Sequence, residues 1–197
     1  MKTHTILSSM LEKNLGYLRT ADAEEAGVSR VMLGNFVQEN NLERVARGLY
    51  LEQDAWRDSL FEVQLRYPKL VFSHETALSL LNLTDREPIQ TTVTLKTSSG
   101  ATRLRKEGIK VYRTRQELFE IGLAETKTPF GHFVRCYDAE RTICDVVRSR
   151  NNVEIQDMQT AIKDYFRSGQ KDIPLLMRYA KLFSVEKIIR QYTEVLL

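Results

Sequence analysis

Residues 15–51 have the sequence LGYLRTADAEEAGVSRVMLGNFVQENNLERVARGLYL, and this stretch decides the fold of the N-terminal part of the chain. Thr20 can cap a short helix, and Ser29 can cap a longer helix that runs to about Asn40. A side-chain oxygen at either position can accept a backbone N–H that the first helical turn leaves without a partner. Gly27 lies between the two segments and favours a turn there. The stretch therefore predicts two helices joined by a short turn.

The helix expected after Ser29 has an apolar face and a polar face, as a helix at a protein surface should. Its apolar stripe consists of Leu33, Phe36 and Val37. Its opposite side carries Arg30, Gly34, Asn35 and Gln38. A further amphipathic helix is predicted ahead of this stretch, over about residues 4–14, from the spacing of Leu7, Met10 and Leu11.

Two short strands are predicted after these helices. Residues 42–46 and 49–52 can pair around Arg47-Gly48, because glycine allows the positive φ that a tight hairpin needs. Helix, helix–turn–helix and β-ribbon follow one another in the order of a winged helix-turn-helix domain, for which we expect the boundaries 1–56.

In a winged helix-turn-helix domain the third helix enters the major groove of DNA with its N-terminal residues on the base edges. Arginine can bond guanine and asparagine can bond adenine through two hydrogen bonds each. We therefore expect base reading by Ser29, Arg30, Gly34 and Asn35, and phosphate contacts in the wing by Arg44 and Arg47. The alternative is a winged helix that binds only protein, since residues 1–56 contain six Lys/Arg against eight Asp/Glu.

The remaining chain, residues 57–197, is predicted to form a second domain. Helices are expected around Trp56 to Tyr67 and after Ser73, followed by a half-buried strand in which apolar and polar residues alternate from Ile89 to Lys96. Residues 128–131 are predicted to form a turn between two more strands, and everything after Asp138 has a helical pattern. The fold class expected is α+β, with a winged helix-turn-helix followed by a mixed α/β domain that has a small sheet and a helical C-terminal half.

A basic segment lies within the second domain. Residues 96–115 contain seven Lys/Arg against one acid, whereas the whole chain has an excess of only three positive charges. A solvated face is one interpretation of such a run, and a polyanion-binding surface is the other. We expect phosphate contacts from Lys96, Arg103, Arg105, Lys106, Lys110 and Arg113.

Signals for catalysis and for cofactors are weak. His74-Glu75 begins like a zinc-protease motif, but no second histidine follows four residues later, and no phosphate-binding glycine loop occurs. Glu125-x-Lys127 is a short pattern that a metal-dependent nuclease could use. We expect no catalytic residue, metal or cofactor, no membrane segment, and a cytoplasmic location, since no apolar run approaches the roughly 18–20 residues that span a bilayer.

Three segments together resemble a known family. They are residues 15–51, FSHETALSLLNL at residues 72–83, and VRCYDAERTICDVV at residues 134–147. In this order they are similar to the AbiEi-type antitoxins of type IV toxin–antitoxin systems, which act in bacterial abortive infection against phage. Asp138 is expected to cap a helix whose Glu140 and Arg141 can pair across to the sheet. Arg141 and Asp145, four residues apart, also suit an ordinary pair on the helix surface.

The resemblance implies an antiviral-defence antitoxin that is also a repressor of its own operon and binds inverted repeats of double-stranded DNA in its promoter. It implies a C-terminal domain that neutralises a nucleotidyltransferase toxin without a direct toxin complex, and self-association on DNA is compatible with the repeats. The alternative is a nuclease-like or modification-reversing enzyme that carries a winged-helix DNA-binding domain.

Overall fold

The structure is a computed structural model that describes residues 2–196, and its first three helices lie close to their predicted positions. They are α1 (Lys2–Lys13), α2 (Thr20–Glu25) and α3 (Arg30–Glu39). Ser29 caps α3 as predicted, because its hydroxyl accepts the Met32 N–H at 3.3 Å. The cap of α2 is different: Arg19 occupies the N-cap position, and Thr20 is the first helical residue.

A three-stranded antiparallel sheet accompanies these helices. Its strands are β1 (Tyr17–Arg19), β2 (Glu43–Ala46) and β3 (Leu49–Leu51), in the order β1-β3-β2. The hairpin between β2 and β3 turns at Gly48 with φ +72°, as the sequence predicts. β1 was not predicted. Its three residues carry no alternation long enough to indicate a strand, and it forms only by pairing with β3.

Helix α4 (Ser59–Arg66) is shorter than predicted. Trp56 lies before it and is 80% exposed, so the apolar spacing that starts at Trp56 gives the wrong helix start. Residues of this region bond to β1, because the Tyr17 hydroxyl donates to Glu62 Oε1 at 3.0 Å and accepts the Asp58 N–H at 2.8 Å. The chain accordingly divides into two compact units between Leu65 and Arg66, nine residues later than the expected boundary at residue 56.

The second unit contains a mixed five-stranded sheet with short helices between its strands. In chain order the elements are β4 (Val71–Phe72), α5 (His74–Leu80), β5 (Thr92–Lys96), α6 (Thr102–Lys106), β6 (Lys110–Thr114), α7 (Gln116–Phe119), β7 (Leu123–Lys127) and β8 (Phe133–Tyr137). The strand order is β6-β5-β4-β8-β7, in which β5 pairs with β6 and β4 with β8 in parallel.

Four longer helices complete the chain and bury most of the apolar core of the second unit. They are α8 (Ala139–Arg148), α9 (Ile155–Arg167), α10 (Ile173–Leu182) and α11 (Glu186–Leu196). Asp138 and Asp172 cap α8 and α10 by accepting backbone N–H groups. The mixed α+β architecture is therefore confirmed.

Two details of β5, an interior strand between β6 and β4, differ from the prediction. Ile89 lies before the strand and is fully exposed, so the alternation begins too early. Thr92 and Thr94 are buried as well as Val93 and Leu95, so neither face of β5 is solvated. The threonine hydroxyls are satisfied locally: Thr92 Oγ1 accepts the Thr76 N–H at 2.9 Å, and Thr94 Oγ1 donates to Ser73 Oγ at 2.8 Å.

The surface pair expected on α8 is in fact buried. Arg141 is 1% exposed, and its Nε donates to Asp145 Oδ2 at 2.9 Å. The Nη1 of the same guanidinium donates to the carbonyl oxygens of Leu118 at 2.6 Å and Ile121 at 2.8 Å. The spacing of four residues correctly predicts that Arg141 and Asp145 pair. It does not indicate whether this side of α8 is buried or exposed.

We expect Arg141→Met to destabilise the protein by about 3–5 kcal/mol, because it leaves the Asp145 carboxylate buried without its cation. The double variant Arg141→Met/Asp145→Leu removes both charges and should regain a large part of that loss. Urea unfolding of the wild type and both variants measures the two values. A single variant as stable as the wild type, or a double variant no more stable than the single one, would contradict this account of the pair.

Candidate functional site

The exposed side of α3 brings together the residues predicted to read DNA. Ser29, Arg30, Gly34 and Asn35 are all exposed, whereas Leu33 and Phe36 on the opposite side are buried. Sequence reasoning missed two members of this surface, Val31 and Met32, which are 74% and 46% exposed. The sequence did contain a signal for them: two consecutive apolar residues stand at the start of α3, outside the apolar stripe of the helix.

An ion pair with α2 holds the Arg30 side chain. Its Nε donates to Glu24 Oε1, and this hydrogen bond and the negative charge of Glu24 raise the pKa of Arg30. Both groups are solvent-accessible, with 82% of the Arg30 side chain exposed. Because solvent screens exposed ion pairs and they contribute little, the guanidinium can leave Glu24 for a stronger acceptor.

Nothing in the packing of the first unit requires a glycine at position 34. It lies in the middle of α3, and a Cβ built on it meets nothing within 4 Å. Glycine inside a helix costs about 1 kcal/mol relative to alanine. Because Gly34 has no side chain, a binding partner can approach the backbone of α3 more closely at this position.

The two arginines of the hairpin are also exposed. Arg44 lies on β2, where its Nε donates to the Ala46 carbonyl at 3.4 Å, and Arg47 lies in the turn beside Gly48. Both guanidinium groups are on a hairpin that projects from a sheet edge, since β2 is the outer strand of the order β1-β3-β2.

The structure divides the basic segment into two groups. Three of its cations bind within the unit: Lys96 to Glu120 at 3.2 Å, Lys110 to Glu75 at 2.9 Å, and Arg113 to the Ser99 carbonyl at 3.2 Å. The other three of the six expected phosphate contacts are exposed on α6, and they are Arg103, Arg105 and Lys106. No acid is bound to the α6 group in the described contacts, and the same holds for Arg113 and for Arg115, the seventh cation of the segment.

In the second unit, the segments at residues 72–83 and 134–147 meet at one polar cavity of about 200 Å³. His74 comes from the first segment, and Arg141 and Asp145 come from the second. Arg113, which was predicted as a phosphate contact, also lines the cavity. The remaining lining residues were not predicted, and they are Thr94, Tyr112, Thr114, Arg148, Ser149 and Asn152. Half of them reach the cavity through strand pairing, for which the local sequence gives no signal.

His74 forms the closed end of this cavity. Its Nδ1 lies 3.0 Å from Ser73 Oγ, its Nε2 lies 3.1 Å from Ser149 Oγ, and its ring stacks on Tyr112. Burial, and then the charges of Lys110, Arg141 and Arg148, hold the pKa of His74 well below its ordinary value. The imidazole is therefore neutral at physiological pH and adds no charge to the cavity.

The structure also locates the Glu125-x-Lys127 pattern and bears on the metal-site and membrane-segment expectations. Glu125 and Lys127 lie on the edge strand β7, where Lys127 covers the Phe133 ring. Within residues 2–196, no group of three His, Cys, Asp or Glu side chains is placed to hold a metal ion. No helix in the same range is both long enough and apolar enough to cross a bilayer.

Comparison with solved structures finds a fold like that of the RV2827C protein from Mycobacterium tuberculosis. The two share 13% sequence identity with a TM-score of 0.55, and the match covers 100% of this chain and 81% of the other. At this identity the likeness concerns the fold alone. A search of curated proteins gave no significant match.

Comparison with protein families gives one match, to the family described as "Transcriptional regulator, AbiEi antitoxin", over residues 7–53. These residues include the last seven residues of α1 and all of β1, α2, α3 and the β2–β3 hairpin. The match confirms the resemblance to the AbiEi antitoxin transcriptional regulators, and it does so for residues 7–53.

Proposed function

We propose that this chain is a DNA-binding transcriptional regulator whose first unit is a winged helix-turn-helix. The observation that carries the proposal is the exposed N-terminal side of α3, where Ser29, Arg30, Gly34 and Asn35 lie on one surface. Helices α2 and α3 then form the helix–turn–helix, and the β2–β3 hairpin is the wing. The family match over residues 7–53 supports the same function.

In this proposal each exposed residue of α3 has a defined chemistry in the major groove. Arg30 exchanges Glu24 for guanine O6 and N7, and Asn35 bonds adenine N6 and N7. Val31 and Met32 supply apolar contacts for thymine methyl groups. Ser29 bonds a base edge or a neighbouring phosphate, and Arg44 and Arg47 bind phosphates beside the groove.

The biological role that fits best is an antitoxin of a type IV toxin–antitoxin system that represses its own promoter. Binding to inverted repeats places two copies of the chain on one operator. The second unit then neutralises a nucleotidyltransferase toxin without a stable complex with it. The family match and the resemblance of residues 72–83 and 134–147 support this role.

We expect Arg30→Ala and Asn35→Ala each to raise the Kd for the promoter about tenfold or more, because each removes a contact with two hydrogen bonds worth about 1–3 kcal/mol. Affinity for a scrambled duplex should change much less. Fluorescence anisotropy on both duplexes measures the two values, with Lys13→Ala, an exposed cation of α1, as the control. Wild-type affinity in both α3 variants would show that another surface reads the DNA.

Gly34→Ala should separate stability from function. The substitution meets open space, so it should stabilise α3 by up to about 1 kcal/mol and raise Tm by a few degrees. The added methyl group should nevertheless weaken promoter binding, because it keeps the helix away from the groove. Ser8→Ala, at an exposed position of α1, is the control, because it also raises helix propensity but lies outside α3. A stabilised Gly34→Ala protein with undiminished promoter affinity would remove Gly34 from the reading surface.

The α6 cations are proposed to bind DNA phosphates. Replacing Arg103, Arg105 and Lys106 by alanine should reduce the slope of log Kd against log salt by about one unit for each phosphate that the variant no longer binds. The weakening should be similar on promoter and scrambled DNA. The matched control replaces Lys163, Arg167 and Lys187, which are exposed on α9 and α11. If the slope of log Kd against log salt were the same in the wild type and the α6 variant, the three cations would not bind DNA phosphates.

A further inference from the structure

The cavity of about 200 Å³ in the second unit has no part in reading DNA bases, and its lining has the chemistry of an anion site. Since a water molecule occupies about 30 Å³ of liquid, the space corresponds to roughly six waters. It is below the roughly 300–1,000 Å³ of sites that enclose a whole drug-sized ligand. The volume suits one compact polar group rather than a complete nucleotide.

The charge balance of the lining is positive. Three arginines line the cavity, of which Arg141 is paired with the only lining carboxylate, Asp145, at 2.9 Å among the described residues. Arg113 and Arg148 remain without an acid in the described contacts, and both are exposed at the cavity entrance. His74 is neutral, so these two guanidinium groups leave an excess of about two positive charges.

A buried hydroxyl of the lining lacks a partner. Thr114 is 7% exposed, and its Oγ1 is buried with no hydrogen bond from or to any described protein atom. Leaving a buried polar group unsatisfied costs about 1–3 kcal/mol. Thr94, which also lines the cavity, donates to Ser73 Oγ, whereas the Thr114 hydroxyl has no partner among the described protein atoms.

We propose that this cavity binds the terminal phosphate group of a small phosphate monoester, with Arg113 and Arg148 as the charge partners and Thr114 Oγ1 as a buried donor. A monoester phosphate carries a charge near −2 at neutral pH, which matches the two uncompensated arginines. Planar guanidinium groups bind phosphate through pairs of hydrogen bonds. A phosphodiester in a nucleic-acid chain carries only one charge, so it matches the two uncompensated arginines less well.

The test is isothermal titration calorimetry of the full chain with inorganic phosphate, glycerol 3-phosphate and dimethyl phosphate at constant ionic strength. We expect the first two to bind with similar Kd and the diester at least tenfold more weakly. Thr114→Val and Arg148→Gln should each weaken phosphate binding at least fivefold. Arg150→Gln, an exposed arginine two residues away that does not line the cavity, should bind as the wild type does.

Folding is checked in the same samples. Because the Thr114 hydroxyl has no partner, Thr114→Val without phosphate should unfold at a urea midpoint no lower than that of the wild type. Absence of phosphate binding by the wild type would overturn the proposal. Equal weakening by Arg148→Gln and Arg150→Gln would also overturn it, since it would show diffuse attraction only. Dimethyl phosphate bound as tightly as the monoester would reassign the site to nucleic-acid backbones.

Discussion

The packing of the second unit depends most on the hydrogen bonds and aromatic contacts of the buried Arg141 guanidinium. The guanidinium binds Asp145 and two backbone carbonyls, and it lies 4.1 Å and 4.0 Å from the ring centroids of Tyr137 and Phe183. A charge taken out of water is tolerated only when its donors are occupied and aromatic faces complete its surroundings. These contacts fix α8 against β8, against Phe183 at the C-terminal end of α10, and against α7 and Ile121, which follows it. They also fix the wall of the cavity that α8 provides.

In the first unit the important balance is between an acidic net charge and an exposed arginine, Arg30. The sequence of this unit is acidic overall, yet the proposed DNA-reading surface needs a cation that is free to bind a base. Glu24 holds Arg30 in an exposed ion pair of low net strength. Every duplex contains guanine O6 and N7, but in this proposal only a matched site places a guanine opposite Arg30 while the other contacts of α3 also form. The acidic residue thus favours specific over non-specific binding, which is consistent with a regulator that must find one operator.

Local sequence signals predicted α3 and the β2–β3 hairpin and failed wherever contacts between distant segments determine the structure. Ser29, Gly48 and the apolar stripe of α3 act through their own neighbours, so α3 and the hairpin lie where expected. β1 exists only because it pairs with β3, and α4 joins the first unit only because Glu62 and Asp58 bond Tyr17. The cavity was beyond prediction for the same reason, since the parallel pairing of β5 with β6 brings Thr114 beside the two family-like segments.

The central claim is that the first unit recognises a defined DNA sequence. DNase I footprinting of the full chain on the DNA immediately upstream of its own gene tests this claim most directly, with a scrambled fragment of the same composition as reference. The account predicts protection of two half-sites of an inverted repeat at protein concentrations that leave the scrambled fragment fully cut. Uniform protection of both fragments over the same concentration range, or protection of neither, would contradict it.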